Sequence, residues 1–405
     1  MLAQRHIART LATVASVLAA TSAGAELAPL EPYQMVRSLQ LVQDRIADGD
    51  HAALPMQRKL IELIDERLRS SKREDYEDDR NFRALLVYAM SGGNPRTVES
   101  IVSRLPLEDT QARLGTGVLE YLRGRPGDAA KALENIDPRE VPSEVAAFLA
   151  LVKGSIVAND DPQKSLTFLD LARVMGPGTL VEEAALRRSI TLSVSQTETD
   201  RFLLASEQYV RRFLRSPYAS QFADAFVDGV VQLHGEIELR QIADIIAAMN
   251  DEQAKVIYLR LARKAAIDQH AELLAFARAG LETTPALQGS EKDPRAVLYS
   301  TVAAVTTDEV DVVRTRLESI DRSRLSAGDR MLLDAAMQII DGVTSRPGEA
   351  EAPKMPSEQA MVAPATADPL ATPVEASAVP EDGGFITDAR KKLESIDKLL
   401  QETKE

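Results

Sequence analysis

LGTGVLEYLRGRPGDAAKALENIDPREVP, residues 114–142, is the stretch on which the reading of the fold depends. At helical spacing it gives two helices divided near Gly127, with Leu114 and Tyr121 on the first, Ala130 on the second and Pro142 closing the unit. An aromatic ring on the first helix of such a hairpin needs a small side chain opposite it, and Tyr121 with Ala130 meets that demand. The same periodicity runs outward over residues 33–343. Leu60, Leu63, Ile64 and Leu68 mark one apolar helix face, and Val98, Ile101, Val102 and Leu105 another. Cap residues and prolines predict helix starts at Pro55, Asn94-Pro95, Asp161-Pro162 and Thr199. Stops are expected at Gly49, Gly92-Gly93, Pro106 and Gly176-Pro177. No convincing alternating strand is present; Leu192-Ser193-Val194-Ser195 alternates but reads as a frayed helix end.

Second helices are expected near Pro95, Gly127, Pro162 and Thr199, at steps close to the period of helix–turn–helix solenoids. The unit at 114–142 resembles a tetratricopeptide repeat, though degenerate: the expected glycine is displaced to Gly117, and Ile156 and Ser165 replace Tyr and Ala in the next unit. The expected class is all-α, a tetratricopeptide-like helical-hairpin superhelix over residues 26–345, with an irregular helical bundle as the alternative. Past Val210 the pairing loses its period while helical faces continue to residue 340, and the polar stretch 283–294 is a possible boundary between two lobes. Residues 346–384 carry seven prolines among Ala, Glu, Thr and Ser, which predicts a disordered linker. In the tail, 385–405, Ile386, Leu393, Ile396 and Leu400 fall on one face of a short amphipathic helix and are the candidate partner-docking residues.

The first 25 residues read as a cleaved secretory signal. Arg5, His6 and Arg9 precede an apolar run from Leu11 to Ala20, and Ala23-Gly24-Ala25 supplies the small-x-small pattern. Cleavage is expected between Ala25 and Glu26. No later stretch approaches the roughly 20 apolar residues of a spanning helix, so no integral membrane segment is expected in the mature chain.

The chain holds 48 basic and 62 acidic residues, and loss of the two leader arginines takes the net charge from −14 to about −16. Nucleic acid and anionic lipid are poor partners for such a surface. There is no cysteine and no tryptophan, which removes disulfides and thiolate chemistry. No catalytic constellation emerges. The remaining histidines, His51, His234 and His270, are far apart in sequence, and none sits in an HExxH frame. P-loop, GxSxG and GxGxxG motifs are missing. Glu99-Ser100, Glu318-Ser319 and Glu394-Ser395 have the glutamate–serine start of a lytic-enzyme site without its Gly-Leu-Met-Gln partner. The acidic run from Glu74 to Asp79 lacks the alternation of a calcium loop and reads as a solvated connection before a helix at Asp79. The expectation is a binding protein, not an enzyme, with no cofactor or metal.

The run from Glu31 to Ile46, EPYQMVRSLQLVQDRI, resembles the MotC family, and Gly49-Asp50-His51-Ala52-Ala53 with Pro55-Met56-Gln57-Arg58-Lys59 continues the likeness. So do residues 121–128, YLRGRPGD, and 211–219, RRFLRSPYA. The resemblance implies a periplasmic motility protein of rhizobial and related alphaproteobacterial flagellar motors. It implies action on the stator through the periplasmic part of a MotB-like protein, with a MotE-like periplasmic chaperone as a further partner. The alternatives from the residues alone are a periplasmic repeat scaffold for envelope assembly and a peptidoglycan-modifying enzyme.

Overall fold

A computed structural model describes residues 30–283, 293–304 and 310–344. The leader, the proline-rich linker, the tail and most of the 283–294 stretch lie outside the described residues. Within them are seventeen α-helices and no strand. The helices come in hairpins: α1 (Pro32–Ala47) with α2 (Ala53–Arg69), α3 (Asp79–Met90) with α4 (Pro95–Val102), and α5 (Asp109–Leu122) with α6 (Pro126–Leu133). Next come α7 (Ser143–Val157) with α8 (Pro162–Met175) and α9 (Leu180–Ser195) with α10 (Thr199–Arg212), followed by α11 (Ala219–Gln232) and by α12 (Leu239–Ala247), which packs on α10 and on the helix after it. The series ends in α13 (Asp251–Ile267), α14 (Ala271–Thr283), α15 (Pro294–Ala304), α16 (Val310–Glu318) and a single α17 (Ala327–Thr344).

The second helices anticipated at Pro95, Gly127, Pro162 and Thr199 begin at Pro95, Pro126, Pro162 and Thr199. Local chemistry sets these starts. Asn94 and Asp161 accept hydrogen bonds from the backbone N–H groups of Arg96 and Lys164, and a proline follows each cap. Past Val210, where the pairing is expected to lose its period while helical faces continue, the helices do continue: Ala271 and Val310 open further second helices, whereas the helix at Leu239 does not pair with α11. Each odd-numbered helix packs on the next odd-numbered one from α1 to α17, which forms one continuous layer.

Packing corrects several residue-level expectations. The stripe on α2 is Ile64, Asp65 and Leu68 with half-buried Leu60, whereas Leu63 faces solvent. That helix begins at Ala53, ahead of Pro55. Leu192–Ser195 is the ordered last turn of α9, with Ser193 fully buried. In the unit that opened the reading, Tyr121 is buried, but the fully buried small residue on α6 is Ala129, while Ala130 is only half-buried. The close approach between α5 and α6 belongs to Gly117, where a Cβ would lie 2.4 Å from Leu133 Cγ. The displaced glycine is therefore the contact that lets this hairpin close.

The first five hairpins curl back on themselves. α3 packs on α7 as well as on α5, and α1 packs on α9. α3 and α7 are consequently buried almost all round: Ala84 to Met90 and Val145 to Val152 are unbroken buried runs. The turn after α1 meets the loop after α10. Gly49, at φ +100°, has no room for a Cβ, which would fall 2.5 Å from Arg215 Cβ, and His51 Nε2 lies 3.0 Å from the Arg215 carbonyl oxygen. A cluster of aromatics joins α10 to α11, where Tyr209 stacks on Phe222 at 4.2 Å and Phe202 on Phe226 at 5.8 Å.

Candidate functional site

The curl leaves a cleft of about 310 Å³ between α1, the N-termini of α7 and α9, and the C-terminus of α8. Its apolar surface comes from Leu41, Phe148, Met175 and Leu180. Leu41 is 60% exposed, on a helix that packs on three others. The tight passage at Gly176, where a Cβ would approach Ala147 Cβ to 3.1 Å, holds the end of α8 against α7.

Polar groups stand at the edges. Gln43 is 2% exposed, and its Nε2 has no hydrogen-bond partner although it lines the cleft. A buried amide donor left unmade costs free energy. Gln57 Oε1 on α2 is orphaned too but does not line the cleft. Asp44, half-buried, forms no ion pair; burial first, and then the charge of Asp48, push its carboxyl above the usual range. Glu144 stands at the start of α7, 3.6 Å from Arg83, and Arg37 is exposed at the opposite edge.

Elsewhere the buried polar groups are structural. Asp65 Oδ1 accepts from Tyr88 Oη and Thr97 Oγ1, each at 2.7 Å, and Tyr88 Oη accepts from Asn94 N–H at 2.8 Å, which ties α2, α3 and α4 together. Lys153 of α7 donates to the carbonyls of Leu133 at 2.7 Å and Ile136 at 2.6 Å, capping short α6; burial, then Lys164, depresses its pKa. The acidic run is, as expected, a solvated connection between helices: Glu74–Glu77 form a 3-10 turn with Glu74 and Glu77 exposed, in which Asp75 accepts from Arg67 Nη1 at 3.2 Å. Asp78 caps α3, so the helix start at Asp79 holds.

His234 and His270, distant in the chain, are brought together with ring centroids 4.3 Å apart, because stacking sets the end of α11 beside the turn after α13. Among the described residues no group of three or more His, Asp or Glu side chains is placed to hold a metal ion. Glu99 is engaged by Arg123 at 2.6 Å, and Ser319 donates to the Arg316 carbonyl. Of the residues singled out from sequence, Ala25, Glu26, Ile386, Leu393, Ile396, Leu400, Glu394 and Ser395 lie outside the described residues. The cleft had no signal in the sequence, since its walls come from residues 37–44, 143–148 and 175–181 on four helices.

The fold defines an all-α protein built largely of helical hairpins, with a recess between α1, α7, α8 and α9. Among the described residues no helix is long and apolar enough to cross a membrane. The chain belongs to the MotC family: the family model described as chemotaxis protein MotC matches residues 1–405. It is similar to the chemotaxis protein MotC of Rhizobium meliloti (strain 1021), at 34% identity over 96% of this chain and 99% of that one. No solved structure matches the chain.

Proposed function

We propose that this protein is a non-enzymatic periplasmic factor required for flagellar rotation, acting by binding the periplasmic part of a MotB-like stator protein. A MotE-like chaperone is the further partner in this reading. The observation that carries it is the match to the MotC family along the entire chain. The order of charge, apolar run and Ala-x-Ala in residues 1–25 supports export. A recess that exposes apolar surface beside an unpartnered amide and an unpaired carboxylate supports action by binding.

An in-frame deletion tests the reading. Cells are expected to assemble filaments of normal number and length that do not turn when tethered, with rotation restored by the gene in trans. Normal swimming of the deletion strain, or loss of the filaments themselves, would overturn it. Mass spectrometry of the exported chain should find Glu26 as its first residue, and a retained Met1 would contradict the export step.

A further inference from the structure

We propose that the cleft between α1, α7, α8 and α9 is the docking site for the C-terminal segment 385–405 of the same chain. Three observations converge on that occupant. The first is the shape and lining of the recess. Its volume lies at the small end of ligand sites and matches a few side chains entering from a helix laid across the mouth. Leu41, Phe148, Met175 and Leu180 give those side chains an apolar surface, and Gln43 Nε2 lacks an acceptor.

The second is chemical complementarity. On a helix of 3.6 residues per turn, Ile386, Leu393, Ile396 and Leu400 form one stripe, and Arg390 and Lys392 flank it on either side. The recess offers Asp44, a half-buried carboxylate without a cation, and Glu144, whose ion partner Arg83 stands 3.6 Å away; Arg37 is the one cation in its lining among the described residues. A helix seated by its stripe carries one cation toward each wall. Docking replaces water at a carboxylate that burial already disfavours as an ion, so pairing there gains more than a surface pair would.

The third is reach. Four steps of the odd-helix layer, α17 to α15 to α13 to α11 to α9, separate the last described helix from the cleft. At typical interaxial distances that is roughly 40 Å. Forty residues, 345–384, connect α17 to the segment. A chain of that length has a coil dimension on the order of 35 Å and a contour near 130 Å. The tether therefore presents the segment at high effective concentration without having to be stretched.

The chain has no cysteine, so introduced pairs report without background. In the full-length protein, Leu41→Cys with Ile396→Cys is expected to close an intramolecular disulfide at least about tenfold faster than Leu204→Cys with Ile396→Cys. Leu204 is an exposed residue of α10 that does not line the cleft. Adding Asp44→Lys to the cleft pair should slow closure several-fold. Hydrogen exchange gives a second readout without cysteines: Ile396→Ser with Leu400→Ser should raise exchange in residues 37–44 and leave 251–267 unchanged. Equal closure rates for the two pairs, or exchange unaffected by the serine changes, would overturn the proposal. A covalent dimer formed in preference to the closed monomer would overturn it as well, since the occupant would then come from a second copy. None of these readouts depends on the motility reading, because all are made on the purified chain.

Discussion

Glu183 is fully buried in α9, where its Oε1 accepts from Tyr209 Oη at 2.7 Å and Arg187 Nε at 2.8 Å, while Oε2 has no hydrogen-bond partner. A carboxylate in that position depends on both donors. Tyr209→Phe should cost about 1–3 kcal/mol in urea unfolding, because it strips one donor from a buried charge and leaves the packing intact. Gly117→Ala sets two effects against each other. Alanine gains up to about 1 kcal/mol of helix propensity, yet its Cβ would sit inside the Leu133 side chain, itself 1% exposed. Overpacking of about 1–3 kcal/mol wins, so the variant should melt lower than the parent. Alkali provides a third test. Burial, followed by a carboxylate neighbour, raises the phenols of Tyr209 and Tyr299; burial, and a hydrogen bond to Asp65, raise that of Tyr88. An unfolded tyrosine ionises near pH 10 and these do so later, so their stabilisation is complete below pH 10 and is lost as pH rises beyond it. Lys153 works in the opposite sense, because its depressed pKa favours the neutral form as pH approaches 10.5, but it is one group against three. Tyr88→Phe should therefore flatten the fall in stability above pH 10.

At the scale of the element, α6 shows how a helix of eight residues is kept. So short a helix is marginal alone. Lys153 satisfies carbonyls at its far end from a neighbouring helix. Lys153→Met should leave those acceptors buried and unmade, at about 1–3 kcal/mol, with amide exchange in residues 126–133 accelerating ahead of α7. An unchanged exchange pattern there would mean the cap is dispensable. The sequence revealed helix starts where the signal is local: Asn94 and Asp161 announce themselves by cap and proline. It revealed turns where glycine does the work, as at Gly49 and Gly92, both at positive φ. The turn after α13 uses Gln269 at φ +60°, a left-handed position without glycine to mark it. The cleft was illegible for a different cause. Gln43 and Asp44 look like ordinary polar residues of an amphipathic helix until α7 and α9 are laid across them, and no local pattern encodes that juxtaposition.

On the scale of the whole molecule, the chain has two regimes. From α11 onward each hairpin leans on its neighbours in series, as repeat arrays do. Before that, the contacts of α1 with α9 and of α3 with α7 bind residues 32–212 into one closed body. Gly49 is a close approach beside that closure, where the turn after α1 meets Arg215. Gly49→Val should strain the positive φ and collide with Arg215, lowering the first melting transition and raising exchange in α1, with α13 to α17 unaffected. A loss of protection spread evenly over the chain would contradict the two-regime description. The closure also makes the molecule mechanically polar. Pulled from its C-terminal end, it should pay out hairpin by hairpin at low, even force until α11 is gone. It should then hold and give way in a single larger rupture, since α1 cannot leave α9 without opening the ring around α3 and α7. Loaded from that end, the molecule would act as a compliant spring in series with a hard stop.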